Sequence, residues 1–178
     1  MIAFEPVPAV CQDLERNLRL NSLNQVFAVN AAAADREGTA EFLFDTDHST
    51  QGKLSGVEPS YTINTATARQ VRLVRLDDYG RHGWPGPHLI KVDGEGGAAS
   101  VLAGADELIR VAKPTIFIEL HGPEERAAVR RLLDTHDYAA STIQGEPVPD
   151  PIASTVSVMV CRPRSGKGTG TSPTVGST

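Results

Sequence analysis

An aspartate and a glutamate stand two apart in the run KVDGEGG, where Asp93 and Glu95 flank Gly94 and precede Gly96 and Gly97. Glycines let the backbone turn sharply or approach a ligand closely. Two carboxylates presented there can orient a cofactor amine, hold a cation or take a proton from an acceptor hydroxyl. A structural reading competes, in which Glu95 caps the following helix and Asp93 braces the turn. Glu119 and His121 close a second apolar run, TIFIEL. A histidine titrates near neutrality and can take a substrate proton, although a loop histidine otherwise only meets solvent. Near the start, Glu5 ends the run IAFEP. An acid in that position can accept hydrogen bonds from both hydroxyls of a ribose, or it serves as a turn acid or helix cap. Asn30 ends the next apolar run. His48, His82, His88 and His136 form no ligand spacing with one another, and Trp84 lies between glycine and proline in a turn. The spacing of Asp93, Glu95, Glu119 and His121 alone does not demand an ion, and no metal ligand is assigned.

These residues share a site only if the chain alternates strands and helices, because ligands of open α/β sheets bind beyond the carboxyl ends of the strands. The alternation is present. IAFEP reads as a strand, and VCQDLERNLRLN repeats Val10, Leu14 and Leu18 at helical spacing. QVFAVNAAA reads as one buried strand. GTAEFLFD and ARQVRLVRLDDY read as extended segments around a polar stretch from Thr46 to Ala68, which forms a loop or an antiparallel insertion. HLIKVDGEG is the strongest strand and leads into AASVLAGADELIRVA, a helix with Val101, Leu102, Ala105, Leu108 and Ile109 on one face. TIFIEL is the next strand. Pro123 can start the helix PEERAAVRRLLDTH, where Glu124 and Glu125 favour its positive N-terminal end. STVSVMVCR supplies a last strand, expected as an antiparallel edge on a mainly parallel sheet covered by helices on both faces. From Pro163 onward Ser, Gly, Thr and Pro dominate, which predicts one domain over residues 1–162 and a disordered tail over 163–178. SGKGTG in that tail lacks the strand and helix that would make it a phosphate loop.

Composition narrows the function. A chain of 178 residues suits one domain, and 40% hydrophobic with 22% charged residues is ordinary for a globular protein. The formal charge of −5 argues against a nucleic-acid partner. No apolar run reaches the roughly 20 residues needed to span a bilayer, and no export signal follows Met1. Cys11 and Cys161 sit in apolar patterns without disulfide or metal spacing, which fits a reducing, cytoplasmic setting.

In order and spacing, IAFEPVPAVCQDLERNLRLN, LDDY, LIKVDGEGGAASVLAGADELI and PTIFIELHG resemble the FkbM family of S-adenosylmethionine-dependent methyltransferases. The resemblance covers Ile2 to Cys161, and Leu89 to Ile109 is its most specific part. It implies a Rossmann-like class I methyltransferase sheet and methyl transfer from S-adenosylmethionine to a hydroxyl of a sugar, polyketide or other small metabolite. It implies that Glu5 binds the cofactor ribose, that Asn30 and Ala31 lie near the adenine, and that Asp93 stands close to cofactor and acceptor. Glu95 and Gly96 complete the motif, and Asp93, Glu95 and His121 are the catalytic candidates. The sequence departs from the pattern at Gly94, where an aliphatic residue is usual, and at Ala98, where an acid is usual. Nothing preceding Met1 corresponds to the family's first strand and its acidic, glycine-rich loop, so the sheet is expected without its first strand and helix. The alternative is a non-catalytic remnant or interaction module of the same fold. A nicotinamide-dependent oxidoreductase would also want an acid at Glu5, but nothing after it matches in order.

Overall fold

The computed structural model describes residues 1–45, 52–54, 66–81, 85–94, 96–149, 152–153 and 155–164. The chain opens on β1 (Ile2–Phe4), and Pro8, whose fixed backbone angle suits a first helical residue, starts α1 (Pro8–Leu20). β2 (Phe27–Val29) returns parallel to β1, with Ile2 opposite Phe27 and Phe4 opposite Val29. The single strand expected over QVFAVNAAA is broken after Val29. Ala31 N–H donates to Val29 O at 2.9 Å, a tight turn that ends the pairing with β1, and β3 (Ala32–Ala33) joins a different sheet.

That second sheet holds β4 (Gly38–Asp45), β5 (Gly52–Leu54) and β6 (Ala66–Val74) in the order β3-β6-β4-β5. β4 and β6 pair antiparallel from Gly38↔Leu73 to Asp45↔Ala66. The described part of the Thr46–Ala68 stretch is therefore an antiparallel insertion, and the rest lies outside the described residues. LDDY does not continue the strand as expected. It opens α2 (Leu76–Arg81), because Asp77 turns inward to 4% exposure and finds half-buried partners in Arg75 and the Leu108 N–H.

The third sheet positions the acids. β7 (Leu89–Val92) leads through the glycines into α3 (Ala98–Ala103) and α4 (Asp106–Ala112), two helices where one was expected. They part at Gly104, where a Cβ would lie 1.8 Å from the carbonyl oxygen of Ala34, so backbone meets backbone and the chain bends. Asp77 Oδ1 accepts the Leu108 N–H at 2.9 Å and thereby caps α4 from another element. β8 (Thr115–Glu119) runs parallel to β7, and α5 (Pro123–His136) follows it. β9 (Tyr138–Ser141), which periodicity did not reveal in a four-residue, alanine-containing segment, precedes β10 (Val158–Pro163).

The strand order is β7-β8-β10-β9. β10 is antiparallel, as expected, but it lies between β8 and β9 and is not an edge. Its pairing continues to Pro163, and Arg164 N–H donates to Asp137 O at 2.9 Å; residues 165–178 lie outside the described residues. The expected mainly parallel single sheet is instead three hydrogen-bonded sheets among the described residues. β1–β2, β3–β6 and β7–β8 are parallel, and β4–β5, β4–β6, β8–β10 and β9–β10 antiparallel. β1 and β7 have one partner each among the described residues.

The main core forms between this third sheet and α3, α4 and α5. Ile116, Ile118, Val129, Tyr138, Met159 and Cys161 are at most 1% exposed. A smaller core under the insertion gathers Ala32, Ala34, Phe42, Val71 and Leu73.

Candidate functional site

Register and pleat together assemble the acid cluster. Val92 of β7 stands opposite Ile118 of β8, so the next residues, Asp93 and Glu119, leave the two strands side by side. Residues in register on parallel strands present side chains to the same face, and residues two apart in an extended chain do likewise. His121, two beyond Glu119, therefore joins that face. One ligand atom from each of Asp93, Glu119 and His121 lies within 4.8 Å of the others. Asp93 is exposed, whereas Glu119 and His121 are partly buried.

Lys91, two before Asp93, places Nζ 2.6 Å from Asp93 Oδ2. The Lys91 hydrogen bond is the largest cause holding the Asp93 carboxyl below the usual aspartate range. Lys91 charge, a Glu119 hydrogen bond and His121 charge add to it, and partial burial opposes them. Asp93 is thus ionised at neutral pH.

A buried carboxylate fixes the two loops that carry the cluster. Glu125, 1% exposed in the first turn of α5, accepts the Ala98 N–H through Oε1 at 3.1 Å. Its Oε2 accepts the Gly122 N–H at 3.1 Å and the His121 N–H. One side chain therefore ties the start of α3, after the Asp93 loop, to the backbone of His121. Three donors at helix starts, otherwise orphaned, are satisfied at once.

Glu5 follows β1, half-buried, and its Oε1 accepts the Val7 N–H at 2.7 Å. Burial raises its pKa above the ordinary glutamate value, and the Val7 hydrogen bond partly offsets this. Asn30 Nδ2 donates to the carbonyls of Glu5 and Pro6 at 2.9 and 3.1 Å, so the two residues brace one turn beyond β1 and β2. Ala31 is fully buried at 0% exposure. Glu95 lies outside the described residues, as do His48, His82 and Trp84. His136 is 6% exposed and joins Asp106 at 2.8 Å, a structural staple between α5 and α4.

Residues 1–140 match the model of the methyltransferase FkbM domain. The chain belongs to the FkbM methyltransferase family. Among solved structures it resembles methyltransferase FkbM from Methylobacillus flagellatus KT, with a TM-score of 0.57 at 17% identity, over 90% of this chain and 36% of that one. That likeness concerns the fold, which is a mixed α/β, class I-like one, and the chain spans about a third of the related protein's length. No curated protein matches the sequence. No helix among the described residues is long and apolar enough to cross a membrane.

The FkbM motif residues thus fall into two groups, Glu5 with Asn30, and Asp93 with Glu119 and His121. Glu119 is not among the catalytic candidates that the sequence offers. Its signal was its place two residues before His121, but the register that sets it beside Asp93 is not written in either strand alone. Glu125 was read only as a dipole partner. The signal for more was its place as third residue of a helix opened by Gly-Pro, where an acid reaches back to the loop N–H groups.

Proposed function

We propose that this FkbM domain transfers a methyl group from S-adenosylmethionine to a hydroxyl of a small metabolite, such as a sugar or polyketide. The observation that carries the reading is the convergence of Asp93, Glu119 and His121 beyond two neighbouring parallel strands, where α/β sheets bind ligands. S-adenosylmethionine supplies an activated methyl carbon when bound. Methyl transfer then needs an aligned acceptor oxygen and removal of its proton.

Glu5 would hold the ribose hydroxyls, since a half-buried carboxylate makes stronger, charge-assisted hydrogen bonds than an exposed one. Asn30 and Ala31 would border the adenine. Asp93 and His121, with Glu119 beside them, would orient the acceptor hydroxyl and receive its proton; Glu95 in the same motif is the further candidate. Buried, unpaired Cys11 and Cys161 favour a reducing, cytoplasmic setting. The partner proposed is a small acceptor and not nucleic acid or membrane.

Calorimetry with S-adenosylhomocysteine tests the reading on this chain and on one carrying upstream residues. Binding is expected, and Glu5→Gln should weaken it about tenfold or more, as loss of a charge-assisted hydrogen bond does. A second reading is a scaffold of this family without a working cofactor pocket. Binding by neither chain would establish that second reading against the first.

A further inference from the structure

We propose that Asp93, Glu119 and His121 form a divalent-cation site, with Mn²⁺ as the fitting ion. Two carboxylate oxygens suit Mn²⁺, a transition ion that, unlike Mg²⁺, also readily takes one imidazole nitrogen. In an octahedron with bonds of about 2.1 Å, donors sit roughly 3 Å apart when adjacent and about 4.2 Å apart when opposite. The three ligand atoms here lie within 4.8 Å of one another, so small side-chain rotations bring them to one ion. The strands fix this convergence through the parallel register that sets Asp93 beside Glu119.

Two neighbouring features fit the assignment. Glu125 accepts the backbone N–H of His121 and fixes where that ligand stands, as outer contacts do around bound metals. Lys91 places an ammonium 2.6 Å from Asp93 Oδ2 on a side chain that is 68% exposed. It neutralises one carboxylate through a flexible, solvated stem, which a cation of higher charge can displace. Three protein donors leave about three positions of an octahedron for other oxygens. An acceptor bearing two adjacent oxygens would chelate the ion, its hydroxyl pKa would fall, and with Asp93 and His121 engaged as ligands its proton would pass to water. This last role rests on the methyl-transfer reading, whereas the cation site does not.

Mn²⁺ titration of the full chain, followed by electron paramagnetic resonance and calorimetry, tests the site. One ion per chain is expected, with binding weakened at least tenfold in Asp93→Asn, Glu119→Gln and His121→Ala, and unaltered in the surface variant Asp134→Asn. Circular dichroism reports whether each variant folds. Lys91→Met retains all three ligands and should tighten binding several-fold, which keeps the site testable if a ligand variant unfolds. Absence of stoichiometric binding by the unmodified chain, or binding indifferent to the ligand variants and to Lys91→Met, would overturn the proposal. S-adenosylhomocysteine calorimetry in the same samples reads the methyltransferase proposal separately, so either can fail alone.

Discussion

Glu125 has the most concentrated structural duty of any single residue near the site. Its carboxylate is 1% exposed and takes three backbone N–H groups from two loops. Removing it strands buried donors, each costing about 1–3 kcal/mol. Glu125→Ala should therefore destabilise by about 3 kcal/mol or more and lower the melting temperature by roughly 10 °C, read by calorimetric melting. Glu125→Gln keeps one acceptor oxygen and should fall between. Asp93 and His121 were legible because their types and glycine-rich or strand-end settings point to chemistry. Glu119 and Glu125 were not, since what gives each its place is a neighbour distant in sequence. The Cys161 thiol, fully buried on β10, is pushed by burial up to about 12 from an ordinary 9.0. The folded state therefore holds its proton longer than the unfolded chain does. Its contribution to stability is complete below pH 9 and is lost as pH rises towards 12. Melting temperatures measured from pH 8 to 10.5 should fall above 9, and less steeply in Cys161→Ala.

Helices and strands were legible where a strong pattern met a local stop. Pro8 and Pro123 start α1 and α5, and the branched runs around Ile90 and Ile116 form β7 and β8. Failures came where tertiary contacts overrode the local pattern. An unbroken helical face spans Val101 to Ile109, yet the backbone of Ala34 meets Gly104 and divides it into α3 and α4. Gly104→Ala forces a Cβ into a carbonyl oxygen and should cost more than the usual 1–3 kcal/mol of an overpacked core, seen as a large loss of melting temperature or of soluble protein. LDDY read as extended because the alternation of β6 runs into it. Asp77 instead caps α4 through Leu108 N–H and pairs with Arg75 at 2.9 Å. Asp77→Ala removes that cap together with a half-buried ion pair and should cost about 2 kcal/mol, measured by denaturant titration.

At the scale of the whole molecule, the alternation of strands and helices correctly announced an α/β chain, and an FkbM match over residues 1–140 accords with it. The number of sheets was not legible, because pairing depends on which edges meet. β1 and β2 contribute three residues each and no buried residue, with Phe27 51% exposed, whereas β8 and β10 are anchored in the main core. Two-stranded sheets are marginal by themselves. The proposed site would accordingly straddle regions of unequal local stability: the Glu5 and Asn30 turn rests on the weaker, the acid cluster on the stronger. Amides of Phe27 and Glu5 should exchange with deuterium far sooner than those of Ile116 and Ile118 in native-state exchange. A ligand gripping Glu5 would slow the first pair selectively. Binding at this site would then be partly a local folding reaction, its affinity reduced by the fraction of molecules in which the first two strands have come apart.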